Sequence, residues 1–298
     1  MASGKLAGAV TLLFREVFIG MILVVVLPTA LLGVIASGHI NVLNIVGALV
    51  LMSLMQFAPN ALNNYVDWDI DEANDKRMTM HKALSKRKLL EITLVLLLLT
   101  IPFFVFGNLY LRIAMLIGYF LIFNYNVLLR AKDKIFLNYA FIALFYGSLA
   151  FTLGFFFASG NLQLFLSIIW IPIFLFFIDL GFSVNKDYED VDGDAKHGKK
   201  TVPVVLGKNM SLVYQFVIIT AIFIWVFYIS ATQIGTVFLG IMIAFYAAAL
   251  YCLNKVRMSN FKSVYHDAHN IIRVDALLIR VSLMALFLIL GYHAVISV

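Results

Sequence analysis

Asn63 to Asp75 reads NNYVDWDIDEAND and carries five acidic side chains: Asp67, Asp69, Asp71, Glu72 and Asp75. The segment closes a long apolar run. Asn63, Asp67 and Asp71 are spaced four apart, so on a helix they stack along one face with a drift of about 40° per step. Three oxygen donors on one face suit a hard cation such as Mg²⁺. A second acidic stretch, NKDYEDVDGDAKHGKK, places Asp187, Asp190 and Asp194 at intervals of three and four, again on one helical face. A calcium loop does not fit the first stretch. Asp67, Asp69 and Asp71 occupy the first, third and fifth positions of an EF-hand, but Glu72 stands where glycine is needed and Met78 where glutamate is needed.

Two carboxylate clusters with Lys and Arg nearby are what an Mg²⁺–diphosphate complex requires. Mg²⁺ binds through one or two carboxylates plus phosphate oxygens and keeps some waters. Metal and basic side chains then stabilise charge on a leaving diphosphate. If the diphosphate is allylic, its departure leaves a delocalised cation, and a nucleophile captures that cation in a site shielded from water.

The elements that position these residues are membrane helices. The 298-residue chain is 63% hydrophobic and 13% charged, with mean hydropathy +0.98. That composition excludes a water-soluble domain and defines an all-α, polytopic membrane protein. The net charge of +6 is no nucleic-acid signal, because the basic residues fall only in certain loops. The single cysteine, Cys252, excludes an intramolecular disulfide and reads as a small residue in an apolar helix. Arg15 and Glu16 interrupt the early apolar stretch, so no cleavable signal peptide is expected.

Apolar runs of spanning length fall at about 17–36, 43–63, 89–107, 110–129, 135–158, 163–185, 211–231, 234–253 and 276–297, which predicts nine helices. The links after helices 1, 3, 5 and 7 (SGHIN, GN, SGN, ATQIG) hold no Lys or Arg. The N-terminal segment and the links after helices 2, 4, 6 and 8 hold nearly all of them, with Arg112 the exception. The positive-inside rule then places the N-terminus and both acidic stretches in the cytoplasm and the C-terminus outside. The alternation also predicts a repeat: four helices over about 12–134, four over about 135–254, and a final helix over about 276–297. Each half carries its charged acidic loop after its second helix, so the two halves are parallel. An inverted repeat would put the acidic stretches on opposite sides.

On these motifs the chain resembles the UbiA superfamily of intramembrane prenyltransferases, over nearly its whole length. N-x-x-x-D-x-x-x-D is met by Asn63, Asp67 and Asp71. D-x-x-x-D with a K-x-G-x-K/R-[ST] run is met by Asp190, Asp194, Lys196, Gly198, Lys200 and Thr201, with Asp187 one turn earlier. Y-x-x-x-L-R-x-K after helix 4 is met by Tyr125, Leu129, Arg130 and Lys132. The resemblance implies one transmembrane domain whose helices surround a central cavity open sideways to lipid. It implies that Asn63, Asp67, Asp71, Asp190 and Asp194 form the Mg²⁺ shell, and that Asp187 is a further ligand or a base acting on the acceptor. It implies that Arg130, Lys132, Lys186, Tyr125 and Arg77, beside Asn63, hold the diphosphate.

One departure stands out. Many members follow the first motif with R-P-x-x-S-G, where this chain reads KRMTMHKALSKRK. Arg77 stands for the arginine, Met78 replaces the proline, and no glycine follows, so loop geometry and acceptor choice are affected rather than metal chemistry. The run DVDGDAKHGKKTVPVVLG is similar to the archaeal ether-lipid branch, with geranylgeranylglyceryl phosphate as acceptor, and also to tocopherol-type and chlorophyll-type branches. The expected reaction is Mg²⁺-dependent transfer from geranylgeranyl diphosphate or a similar donor to such an acceptor, with a quinone precursor of the 4-hydroxybenzoate type as the alternative. A cation-coupled transporter is the competing class. Acidic residues confined to one side of the membrane argue against it, because transporter ion sites lie near the midplane.

Overall fold

The computed structural model describes residues 25–69, 84–188, 191–196, 198–258, 279–281 and 283–285. They form helices α1 (Leu27–Ala36), α2 (Val42–Val66), α3 (Lys86–Leu98), α4 (Ile101–Phe106) and α5 (Leu109–Asn126). A tight turn at Ala131–Asp133 leads into α6 (Leu137–Ala158), which widens to a π-type turn at Leu144–Leu149. Then follow α7 (Leu162–Ser167), α8 (Trp170–Phe182), α9 (Val191–Lys196), α10 (Val202–Ile229) and α11 (Thr236–Met258). No strand occurs among the described residues.

Six helical stretches are long and apolar enough to cross a membrane: Val42–Val66, Lys86–Phe106, Leu109–Asn126, Leu137–Ala158, Val202–Thr232 and Thr236–Met258. They match the expected second, third, fourth, fifth, seventh and eighth spans. The first is described only from residue 25 and holds the apolar helix Leu27–Ala36, and the sixth appears as a shorter apolar helix, Trp170–Asn185. The sixth is broken because Pro172 has no N–H to continue the ladder across Ile168 and Ile169. Of the ninth, only 279–281 and 283–285 are described, and both pieces are helical.

Side-chain caps explain the starts of three helices. The links SGHIN, GN and SGN each end in asparagine. Asn41 accepts from the Asn44 N–H, Asn108 from the Leu111 N–H and Asn161 from the Leu164 N–H, at 2.9, 2.9 and 3.0 Å. Each satisfies a donor that the first helical turn leaves open. Arg112, the exception to the charge rule, spends its guanidinium on orphan carbonyls. It donates to Gly107 O at 2.9 Å and Val105 O at 2.8 Å, at the end of α4.

The tightest packing is between α1 and α6. A Cβ on Gly154 would lie 1.9 Å from Ala30 O, and one on Gly33 would lie 2.1 Å from Phe151 O. The two backbones touch there, as small residues permit in membrane bundles. The same region holds a buried ion pair. Arg280 Nη2 donates to both carboxylate oxygens of Asp179 on α8, at 3.0 and 2.8 Å. Its Nε donates to Thr29 Oγ1 on α1. Arg280 is fully buried, so the C-terminal helical piece is tied to α1 and α8 by a desolvated guanidinium.

Two stability outcomes follow. Gly154→Val should lower the melting temperature in detergent, since overpacking typically costs about 1–3 kcal/mol, whereas Gly240→Ala, with open space around the added Cβ, should leave it unchanged. Arg280→Met should destabilise by about 3–5 kcal/mol because it strands the Asp179 carboxylate. Adding Asp179→Leu to that variant should recover part of the loss, and a double variant no more stable than Arg280→Met would show that the pair is not coupled.

Candidate functional site: a cationic turn between two acidic segments

The α2 helix ends at Val66, and Asp67 is its C-cap residue, with its N–H bonded to Asn63 O at 2.9 Å. Asn63 and Asp67 are thus one turn apart on the same face, as their spacing predicts. A single cation sits between their side chains. Lys132 Nζ donates to Asn63 Oδ1 at 2.9 Å and to Asp67 Oδ1 at 2.6 Å. The Lys132 side chain is only 8% exposed and that of Asp67 17%. Burial pulls the Lys132 ammonium below the usual lysine range, and the Asp67 carboxylate opposes that shift.

Backbone geometry puts Lys132 there. Arg130 adopts a left-handed conformation, φ 48° and ψ 48°, which is unusual for a residue with a side chain. The chain reverses at that point after α5, and the turn Ala131–Asp133 carries Lys132 back toward α2. Arg130 Nε donates to Asp133 Oδ2 at 2.7 Å, and its Nη2 lies 4.0 Å from Asp67 Oδ1. Strain of this kind persists where the surroundings over-determine it, and it collects at functional sites.

The second acidic segment meets the same turn. Asp194 lies in α9 and pairs with Lys199 Nζ at 3.2 Å. The Lys200 N–H donates to Asp133 O at 3.1 Å, which joins the loop after α9 to the turn that bears Lys132. Asp187 is buried. Its Oδ2 accepts from Tyr139 Oη at 2.6 Å and from Asn138 Nδ2 at 3.4 Å. Tyr139 Oη also accepts from the Val202 N–H at 2.9 Å, and Tyr125 Oη donates to Asn138 Oδ1 at 2.9 Å. Tyr125 therefore reaches Asp187 through Asn138. Tyr188, which follows Asp187, donates to Gln215 Oε1 at 2.8 Å on α10, and burial pushes its hydroxyl up.

Of the residues singled out by sequence, Asn63, Asp67, Arg130 and Lys132 form one set of contacts and Tyr125 and Asp187 another. The backbone from Lys199 to Val202, whose first residue pairs with Asp194, bonds to both sets. Asp71, Arg77 and Asp190 lie outside the described residues, as does the side chain of Lys186. Accordingly, no group of three or more His, Cys, Asp or Glu side chains fit to hold a metal occurs among the described residues. Sequence reasoning missed Asn138, Tyr139 and Asp133. The available signal was two polar residues, Asn138 and Tyr139, opening an otherwise apolar helix. It also missed that the polar face of α2 runs inward past Asn60 to Gln56, whose Nε2 donates to Tyr146 Oη at 3.1 Å.

The donor set fits a hard divalent cation. Asn63 Oδ1 and Asp67 Oδ1 already converge on one positive centre, and both are oxygen ligands of the type Mg²⁺ takes. One amide and one carboxylate with neighbouring cations also match a metal that shares its sphere with phosphate oxygens.

The model of the UbiA prenyltransferase family matches residues 25–265. A UbiA homologue from Archaeoglobus fulgidus, solved with DMAPP and Mg²⁺, superposes with a TM-score of 0.70 at 20% identity, covering 96% of this chain and 98% of that one. A solved structure described in terms of digeranylgeranylglyceryl phosphate synthase superposes with a TM-score of 0.66 at 16% identity, over 99% and 100% of the two chains. The digeranylgeranylglyceryl phosphate synthase of Thermococcus gammatolerans is 28% identical over 184 residues, which span 60% of this chain and 61% of that relative. These matches share the helical, membrane-spanning fold of this chain. The chain belongs to the UbiA prenyltransferase family, and its apolar spanning helices make it an integral, multi-pass membrane protein.

The Tyr139 hydroxyl serves both Asp187 and the Val202 N–H, so Tyr139→Phe should destabilise the fold. Leaving buried partners unsatisfied costs about 1–3 kcal/mol, read as a lower melting temperature in detergent. A variant that melts with the wild type would show that this hydroxyl does not organise the loop.

Proposed function

We propose that this protein transfers a polyprenyl group from a prenyl diphosphate to a lipid acceptor in an Mg²⁺-dependent reaction. The observation that carries the reading is the convergence of Asn63 Oδ1 and Asp67 Oδ1 on one buried positive centre, with Arg130 beside it. Mg²⁺ supplies electrophilic assistance to the departure of the diphosphate. Asn63, Asp67, Asp71, Asp190 and Asp194 hold the metals, and Arg130, Lys132, Lys186, Arg77 and Tyr125 orient and neutralise the diphosphate. The bond from C1 of the prenyl chain to the diphosphate oxygen breaks, and its electron pair leaves with the diphosphate. The acceptor hydroxyl bonds to C1 and loses its proton. Asp187, seated on Tyr139 and Asn138, is the carboxylate we assign to take that proton or to orient the group that does.

The architecture we propose around this site has nine helices around a central cavity open sideways to lipid. Two parallel halves cover about 12–134 and 135–254, with a last helix over about 276–297. The N-terminus and both acidic segments face the cytoplasm, following the charge rule. The acceptor we favour is geranylgeranylglyceryl phosphate, supported by the archaeal digeranylgeranylglyceryl phosphate synthase among the relatives. A quinone precursor of the 4-hydroxybenzoate type is the second reading.

Labelled geranylgeranyl diphosphate supplied with Mg²⁺ and a panel of acceptors (geranylgeranylglyceryl phosphate, 4-hydroxybenzoate, homogentisate and chlorophyllide) tests this directly. Label should move into the ether-lipid product and stop with EDTA. Asp67→Asn and Asp190→Asn should each lower turnover roughly 10²–10³-fold, the scale of losing one electrostatic stabiliser of the transition state, while the protein stays folded. Full activity in both variants would overturn the metal assignment. Label moving to 4-hydroxybenzoate alone would select the second reading.

A further inference from the structure

Lys132 stands where the Asn63 and Asp67 side-chain oxygens converge. Its Nζ lies 2.6 Å from Asp67 Oδ1 and 2.9 Å from Asn63 Oδ1. A Mg²⁺ bound by the same two oxygens would sit about 2.0–2.1 Å from each. The point between the two oxygens holds one cation, and an ammonium and a metal ion cannot share it. We propose that Lys132 is a built-in stand-in for the metal, an ammonium that occupies the Asn63–Asp67 locus until an incoming metal displaces it and hands it to the diphosphate. This rests on the Mg²⁺–diphosphate reading above and adds to it an exchange that couples the two ligands.

The physical argument is one of pairing. Asp67 is mostly buried and would be a costly unpaired charge in the metal-free protein. Lys132 satisfies it and holds the amide of Asn63 in its ligating orientation at the same time. When metal enters, it takes over both oxygens. The ammonium, on a side chain only 8% exposed, then loses its acceptors in a place poor in water. A buried cation without a partner is unfavourable, so metal alone binds against that penalty. Diphosphate removes the penalty by accepting from the released ammonium. Diphosphate without metal meets a Lys132 already neutralised by Asp67. Each ligand therefore binds better with the other than alone. Arg130 cannot play the same part, because its Nε is committed to Asp133 at 2.7 Å and its Nη2 stays 4.0 Å from Asp67. The released lysine arrives beside the leaving group only once metal is in place, so the site is assembled by the substrate complex itself.

The test measures Mn²⁺ binding to the full chain in detergent, with no diphosphate present, from the loss of the free-ion signal in electron paramagnetic resonance. Lys132→Met should bind Mn²⁺ roughly tenfold tighter than wild type or better, since the charge-assisted pair with Asp67 no longer competes. Lys86→Met removes a surface cation paired with Asp69 and should change Mn²⁺ affinity far less. Equal or weaker binding by Lys132→Met, or an equal gain in Lys86→Met, overturns the exchange. A second measurement needs no variant. Acylation of Lys132 by an amine-reactive ester, quantified by mass spectrometry, should rise severalfold when Mn²⁺ saturates the wild type. Unchanged labelling with Mn²⁺ bound also overturns it. Prenyl transfer is scored separately. Mn²⁺-dependent release of Lys132 without transfer would sink the proposed function and leave the exchange standing, whereas absence of Mn²⁺ binding in every protein would sink both.

Discussion

A carboxylate that the helices have nearly closed to water must meet a positive charge, and most of this site's organisation can be traced to that demand at Asp67. The partner is Lys132, reached across a chain reversal rather than along one helix. The reversal forces Arg130 into left-handed backbone and brings the turn Ala131–Asp133 under the end of α2. That turn is in turn bonded to the loop after α9 through the Lys200 N–H. One ion pair and one backbone hydrogen bond thus align three segments that are far apart in sequence. The low local dielectric that makes an unpaired charge costly also makes this alignment specific.

The same demand acts a second time, within the bundle. Asp179 and Arg280 would each be expensive alone among apolar helices. Paired, they fix the C-terminal helical piece against α1 and α8. The closest backbone contact, Gly33 and Ala30 of α1 against Phe151 and Gly154 of α6, lies on the same helix α1. The bundle is held there by a polar clamp and by steric fit, since apolar side chains gain little over lipid tails by burying one another. Stability and chemistry in this protein use one rule, that a charge enters only with its partner, in two places and for two ends.

Much of this could be read before any coordinates. The apolar runs mark the spans because lipid length sets helix length. The short links without Lys or Arg mark one side of the membrane because basic residues collect on the other. The four-residue spacing of Asn63 and Asp67 survives in the fold because α2 stays helical up to Val66. Other features were closed to sequence reasoning. Nothing local to YNVLLRAK announces a left-handed Arg130, since that conformation is imposed by what Lys132 reaches. Asp179 lies inside an expected span, and an acid there is a signal in itself, yet its partner is about a hundred residues away and no spacing rule connects them. The sixth span was expected unbroken over about 163–185, because hydropathy does not register the break near Pro172 within an apolar run.

The site also shows why the acidic motifs alone describe it poorly. Asp187 and Asp67 look alike in sequence, each an aspartate near a helix end in an acidic run. Their surroundings separate them. Asp67 faces mobile charge, an ammonium on a flexible stem. Asp187 faces fixed neutral donors, the hydroxyl of Tyr139 and the amide of Asn138. An ammonium can be exchanged for another cation at the cost of one ion pair, and a carboxylate so matched is suited to a changing ligand. A carboxylate anchored on a tyrosine that also caps the Val202 N–H cannot shift without disturbing the start of α10. The two aspartates therefore differ in what holds them: Asp67 is matched by one ammonium, and Asp187 by a hydroxyl and an amide that tie it to the start of α10.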